Sequence, residues 1–470
     1  MWLLDFMTNT KIILSQNNVN SDVHAASASH KLKDRHIRMI ALGGVIGAGL
    51  FVGSSAAIRQ AGPCVLISYL ATGILIILIM RMLGEMLISR ESVGSFVDCI
   101  RVAMGNGSGF VAGWLYWSFW VVTIGAEAIG GAIALRDWVS IPVWILAPTL
   151  ILVVNLVNLI SVHVFGECEF WLSSIKVFSL VIFSAIGLVA LAGFIGPQPV
   201  TPVANLMVTH TLAPYGWSAI FAAIPTVIFS MMGSESATVA AAESKNAGEN
   251  LAKVTRSIGI RITVFFLLSI ALILLLYPWS ALQSGYSPFV TVLRHLGIPG
   301  AAEIMQFVTL SAILSCLNSS IYISSRTLRG LADKGQAPEP FSLLSVRLIP
   351  KHSVFASSVI GLVSAFSSIF SPDLVFAFLL SATGAVILII YGMLIVSHAI
   401  FVRQDPSNKA FILPMSGVLH VIMTGAIVAV FVAMLIQPGN RGTAFSSLGS
   451  VAFYAIIYLC TRHRHREVPA

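Results

Sequence analysis

The amino-acid sequence predicts an all-α integral membrane protein that crosses the bilayer twelve times. Three observations point there. Across 470 residues, AVILMFWYC side chains make up 57% and DEKR side chains only 10%, against about 25% charged in an ordinary globular domain. Those few charges are bunched, leaving uncharged intervals of bilayer-crossing length. Two apolar segments, the first and the sixth, are broken by glycine, proline or acid. A mean hydropathy of +0.91 excludes a water-facing surface, and continuously apolar, helix-length runs exclude an outer-membrane barrel with its alternating strands.

The spans follow from the gaps between charges, because a helix needs ~20 mostly apolar residues to cross the hydrocarbon core. Residues 39–58 and 60–80 carry no Asp, Glu, Lys or Arg, and neither do 138–166, 177–234, 262–293, 304–325, 353–372, 374–402, 410–440 and 442–461. The interval 177–234 is too long for one crossing, and Gly196, Pro197, Pro199, Pro202, Pro214 and Gly216 divide it. With the stretch around Glu127 counted as one more, the expected spans are 39–60, 65–88, 107–135, 141–162, 167–193, 216–241, 256–280, 303–331, 353–371, 374–400, 417–437 and 443–461. Residues 1–30 are mostly polar and read as a disordered cytosolic tail. Asp5 interrupts their only apolar patch, so a cleaved signal peptide is not expected.

Orientation comes from the Lys and Arg balance. With the N-terminus inside, 22 of the 27 basic residues fall on the cytosolic side, Arg59, Arg136, Arg294 and Arg441 fall outside, and Lys176 lies within the membrane. Both termini are therefore expected in the cytosol. The net charge of +8 implies attraction to anionic membrane lipids rather than to nucleic acid, and the basic run Arg462–Arg466 reads as a topology anchor. The five cysteines, at 64, 99, 168, 316 and 460, have no spacing that suggests a disulfide framework or a metal site.

The first span holds Gly43, Gly44, Gly47 and Gly49 within Gly43–Phe51, and each glycine costs a continuous helix ~1 kcal/mol relative to alanine. Two readings fit: close helix packing through small residues, or a discontinuous helix whose freed amides hold an anion near the membrane midplane. The sixth span places Pro225 before Phe229-Ser230-Met231-Met232-Gly233-Ser234-Glu235-Ser236. If spans 1–5 and 6–10 are inverted repeats, the two interruptions correspond, which is a transporter signature.

Glu127, Lys176 and Glu235 are charges in otherwise apolar helices. Each needs a polar partner, a water-lined cavity or a changed protonation state, so coupling and structural ion pairing are both open for them. Tyr116, Trp117, Phe119 and Trp120 form an aromatic cluster that fits either packing or substrate contact. Ser315, Cys316, Asn318 and Ser319 form a polar patch in the eighth span with the same two readings. Gly105-x-Gly107-x-Gly109 lacks the strand–helix context of a dinucleotide site. No phosphate loop or catalytic triad supports an ATPase or hydrolase, so no enzyme, cofactor or metal is expected.

At these motifs the sequence resembles the amino acid permeases of the amino acid–polyamine–organocation superfamily, and among them the bacterial 4-aminobutyrate (GABA) permeases. The resembling passages are HKLKDRHIRMIALGGVIGAGLFVGSS at 30–55, AGPCVLISYLATG at 61–73, IMRMLGEM at 79–86, GWLYWSFWV at 113–121, FGECEFWLSSIKV at 165–177, IFSMMGSESATVAAAES at 228–244 and SCLNSSIYISSRTL at 315–328.

The resemblance implies two inverted five-helix repeats plus two helices. These would be a core over 31–402 (approximately 39–193 and 216–400) and a final pair of helices with a cytosolic tail over 403–470. It implies alternating access in a bacterial inner membrane, proton symport with protons as the coupling ions, and a small zwitterionic amino acid, GABA first, as substrate. Another neutral amino acid, an exchanger, and a nutrient-sensing or scaffold protein remain alternatives, and obligate oligomerisation is not indicated. By the same resemblance Gly47, Ala48 and Gly49, with Ile46 beside them, would receive the substrate carboxylate through backbone groups. Val45, Phe229 and Met232 would offer carbonyls to its amine, and Phe229 would also gate the outer side. Tyr116, Trp117, Ser315 and Cys316 complete the expected substrate contacts. Lys176 would replace the cation of sodium-coupled relatives, Glu235 would stabilise the broken sixth helix or take part in proton coupling, and Glu127 would couple or brace. The break reads Phe-Ser-Met-Met-Gly-Ser-Glu, with Met231 where many relatives place an aromatic residue, and methionine adapts its shape more readily.

Overall fold

A computed structural model describes residues 45–89, 95–159, 162–197, 201–233, 235, 247–345, 349–404, 413 and 415–461. The expected N-terminal tail, Gly43, Gly44, Ser234, Ser236 and the basic run after Thr461 lie outside the described residues.

Twelve apolar helical segments appear among the described residues. Span 1 is Ala48–Phe51 followed by Gly53–Ala61, span 2 Val65–Ser89, span 3 Asn106–Ala134, span 4 Val143–Asn158, span 5 Val162–Leu191 and span 6 Ser218–Met231. Span 7 is Ala247–Leu276, span 8 Ala301–Asp333, span 9 Lys351–Phe366, span 10 Pro372–Gln404, span 11 Ser416–Ile436 and span 12 Arg441–Thr461. Eight runs are long and apolar enough to cross a membrane, the first joining the second part of span 1 to span 2, and Val143–Asn158, Ser218–Met231 and Thr263–Leu276 are shorter apolar helices.

Several ends lie beyond the uncharged intervals, because a helix carries its polar termini with it. Span 10 begins with Asp373 in its first turn and ends with Arg403 in its last, where each charge complements the helix dipole. Besides the five-residue turn of helix Pro202–Leu206, two longer helices among the described residues lie outside the expected spans. Phe96–Met104, capped by Ser95 accepting from the Asp98 amide, lies between spans 2 and 3, and Pro288–His295 precedes span 8. Both are short and carry charges, so counting uncharged intervals passes over them.

The contacts obey a two-fold relation. Span 1 packs on span 6, span 2 on span 7, span 3 on span 8 and span 4 on span 9, each helix meeting its counterpart five places along, as inverted repeats require. Span 3 is the most enclosed, while spans 11 and 12 turn most of their surface outward. Gly107 of the glycine triplet lies where an added Cβ would meet the Tyr458 ring of span 12. A Cβ on Gly109 would meet the Arg101 side chain, so these two serve close packing, while Gly105 meets nothing within 4 Å and supplies a positive φ of +89° between two helices.

Candidate functional site

Both interrupted helices break where the sequence places its breakers. In span 1 the helix starts at Ala48, with Gly47 before it in extended conformation (φ −140°, ψ −151°). In span 6 the helix runs through Pro225, which removes one backbone donor, and stops only at Met231, with Met232 extended (φ −82°, ψ 166°). Gly233 follows at φ +119°, a backbone region that side chains with a Cβ rarely enter. The Gly233 amide donates to Glu235 Oε2 at 3.1 Å, and the Tyr391 hydroxyl of span 10 donates to the same oxygen at 3.3 Å. Glu235 thus holds the end of the broken helix and ties it to span 10.

The two readings of the span 1 glycines both apply. The helix is discontinuous, and its glycines also permit close approach: a Cβ on Gly47 would lie 2.7 Å from Cys316 Cβ and from Glu127 Oε1, and one on Gly49 would lie 2.7 Å from Ser230 Cα. Span 1 is thereby pressed against spans 3, 6 and 8 at the level of the break.

A narrow cavity lies at this junction, lined by Val45, Gly49, Trp120, Thr123, Glu127, Phe229, Met232 and Cys316. Its one ionisable carboxyl side chain, Glu127, is fully buried and accepts the Ala48 amide on Oε2 at 2.9 Å. The amide that opens the intramembrane helix is therefore held by a carboxylate of the protein, the kind of group such a helix terminus binds. The Cys316 thiol meets the same carboxylate. Lys176 is completely buried on span 5, within electrostatic reach of Glu127 and Cys316.

The expected contacts divide into three groups. Val45, Gly49, Phe229, Met232 and Cys316 line the cavity; Gly47 and Ala48 adjoin it through Glu127, and Ile46, just before them, is buried. Tyr116 does not line the cavity but packs edge-on to Trp120, which does, with ring centroids 6.0 Å apart. Ser315 turns away, donating to Glu169 Oε1 at 2.7 Å. Trp117 is not brought to the cavity. Its indole donates to Ser357 Oγ at 3.1 Å, and its ring packs with Val121, Leu328 and Leu331. Trp120 and Thr123 take its place. A signal was present, since Tyr116, Trp120, Thr123 and Glu127 are spaced by four, three and four residues and share one helix face, whereas Trp117 is rotated a residue away.

Two buried acids escaped the sequence reading, Glu85 and Glu169. Glu169 is fully buried in span 5, and its Oε1 accepts from Ser173 at 3.0 Å and Ser315 at 2.7 Å, while Oε2 has no hydrogen-bond partner among the described residues. It lies seven residues before Lys176, on the same helix face. Around the break are thus three carboxyl groups, Glu127, Glu169 and Glu235, and one ammonium, Lys176.

The sequence model of the amino acid permease family matches residues 36–462. Relatives include the gamma-aminobutyric acid permease of Bacillus subtilis, 43% identical over 78% of this chain and 79% of its own. A probable GABA permease of Pseudomonas aeruginosa is 37% identical over 97% of both chains. The aromatic amino acid transport protein AroP of Salmonella typhimurium is 32% identical over 96% of this chain and all of its own. Among solved structures, a mutant of the Eremococcus coleocola manganese transporter superposes with a TM-score of 0.57 at 15% identity, covering 92% of this chain and 94% of that one; at that identity the likeness shows the fold alone. With the family match spanning nearly the whole chain and full-length relatives above 30% identity, the protein belongs to the amino acid permease family and is a multi-pass membrane permease rather than an enzyme.

Proposed function

We propose that the protein imports a small zwitterionic amino acid, 4-aminobutyrate first, by proton symport across a bacterial inner membrane, with both termini cytosolic. The observation that carries this reading is the Ala48 amide bound to Glu127 Oε2. A substrate carboxylate arriving at the start of the intramembrane helix competes with Glu127 for the same donor. A proton on Glu127 removes the competing charge and frees the amide, so proton and substrate bind together and neither is favoured alone. Lys176 supplies the fixed positive charge that braces spans 3, 5 and 8 around this exchange. The substrate amine goes to the backbone carbonyls of Val45, Phe229 and Met232, and Phe229 covers it from outside.

The cavity lining argues for a compact neutral substrate. Among the described residues Glu127 is the one charged side chain that lines it, so a glutamate side-chain carboxylate would be buried without a partner, at a cost of several kcal/mol, and a lysine ammonium would take the carboxylate proposed to hold the proton. The names of the relatives from Bacillus subtilis and Pseudomonas aeruginosa support 4-aminobutyrate over an aromatic substrate. Reconstitution with labelled 4-aminobutyrate tests this: saturable uptake with counterflow is expected, inhibited by unlabelled 4-aminobutyrate more strongly than by lysine, glutamate or phenylalanine. Preferred transport of alanine, serine or proline with no 4-aminobutyrate uptake overturns the substrate assignment. Binding without any net or exchange flux overturns transport in favour of a sensor.

A further inference from the structure

A second cluster of buried titratable groups lies outside the cavity lining, at the end of the bundle where span 2 ends and span 11 begins. Glu85 of span 2 is buried and accepts, among the described residues, from Arg81 Nε at 2.9 Å, the Leu413 amide at 3.3 Å and, at 2.9 Å, Nε2 of the fully buried His398 of span 10. The other nitrogen of His398, Nδ1, lies 2.8 Å from Nε2 of the half-buried His420 of span 11. Arg403 also acts electrostatically on His420. Span 6, which packs on spans 2, 10 and 11, has no titratable residue within Ser218–Met231. The helix Phe96–Met104 packs on span 10 as well, but its Asp98 and Arg101 are engaged with Lys334 and Gln336. In span 12, Tyr454 is bonded to Ser118.

From this geometry we propose that Glu85, His398 and His420 form a second proton-binding site, one that holds a single excess proton and acts as an acid-sensitive latch fastening span 11 to spans 2 and 10. Counting hydrogens gives the capacity. His398 Nε2 carries a hydrogen in every state, since it faces a carboxylate. With both rings neutral, His398 Nδ1 is a lone pair and His420 Nε2–H donates to it. One added proton enters on His420 Nδ1 while the hydrogen of His420 Nε2 passes to His398 Nδ1, which makes His398 an imidazolium beside Glu85 whose Nδ1–H now donates to the lone pair left on His420 Nε2. The contact survives with donor and acceptor exchanged. A second proton makes both nitrogens donors, two like charges face each other at 2.8 Å, and the bond between spans 10 and 11 is lost. The pair therefore titrates as a unit, intact while it holds no excess proton or one and broken with two.

The latch bears on the cavity through span 10. His398 lies seven residues after Tyr391, on the same helix face, and Tyr391 holds Glu235 at the break of span 6. That consequence rests on the proposed role of the break; the latch itself does not. By the distribution of basic residues this end faces the cytosol, so the site senses internal acid.

The test is hydrogen–deuterium exchange of the full-length protein in lipid nanodiscs, which needs neither substrate nor transport. Between pH 7.5 and 4.5, low enough for the second proton to bind against the like charge, and after correction for intrinsic exchange, amides at the start of span 11 are expected to exchange about fivefold faster, the shift that loss of one hydrogen bond supplies. In His420→Gln the amide offers both a donor and an acceptor to His398 but takes no proton, so the segment is expected to stay protected at both values. His420→Phe, which can do neither, is expected to exchange fast at both. Equal protection of the parent at the two pH values overturns the proposal, and so does the same pH response in His420→Gln, which would assign the titration to another group.

Discussion

Substituting Gly49 with alanine adds one methyl group where span 1 meets span 6. The new Cβ would lie 2.7 Å from Ser230 Cα, 2.9 Å from Phe229 Cδ1 and 3.0 Å from Ser230 Cβ. Carbon atoms rest at about 3.5–4.0 Å, so the helices must part by about 1 Å. The Phe229 ring can swing, but the Ser230 backbone cannot move without displacing the last turn of span 6. Overpacking of this kind costs about 1–3 kcal/mol, or about a 5- to 150-fold weakening if the cost falls on the closed, substrate-holding arrangement. Labelled 4-aminobutyrate binding and uptake are to be measured on purified, folded protein, with Gly425→Ala as the control, since a Cβ at Gly425 meets nothing within 4 Å. The expected result is a loss of at least about fivefold for Gly49→Ala and parent behaviour for the control. Parent-like binding in both variants would refute the claim that the site depends on this close approach.

Gly384→Ala is expected to prevent stable folding, since its Cβ would overlap the Pro225 carbonyl oxygen across spans 10 and 6; thermal unfolding of the solubilised protein checks this, and an unchanged Tm would contradict it. Trp120→Phe is expected to change the uptake KM severalfold because Trp120 lines the cavity, whereas Trp117→Phe, which loses only the bond to Ser357, is expected to stay within about twofold in KM. Glu127→Gln keeps the size of the side chain without its charge, so exchange of labelled for unlabelled substrate is expected to persist while acceleration of uptake by an inward acid gradient is lost. Retained acid acceleration in that variant would remove Glu127 from the coupling.

The twelve spans were legible because a charge inside hydrocarbon is so costly that its absence over ~20 residues is itself a signal. The breaks were legible because Gly47, Pro225 and Gly233 each disfavour a regular helix for a local, covalent reason. Tertiary facts were less accessible. Glu85 and Glu169 sit near the ends of uncharged intervals, where charge counting treats an acid as a boundary, so their burial against His398 and Ser315 could not be read from position alone. Trp117 and Trp120 belong to one aromatic run, and only the helical phase shared with Thr123 and Glu127 separates the cavity face from the packing face. Nothing in the residues around Ala48 announced that its amide would be taken by Glu127, 79 positions away.

Current and labelled flux recorded together on the same reconstituted protein test proton symport most directly. A zwitterion carries no net charge, so one proton per 4-aminobutyrate moves one positive charge per substrate, and an inside-negative potential adds ~2.3 kcal/mol per 100 mV to accumulation. The account predicts inward current in fixed one-to-one proportion to substrate uptake, increased by external acid and unchanged when sodium is replaced at constant ionic strength and pH. Electroneutral exchange indifferent to the proton gradient, or uptake that stops without sodium, would contradict it.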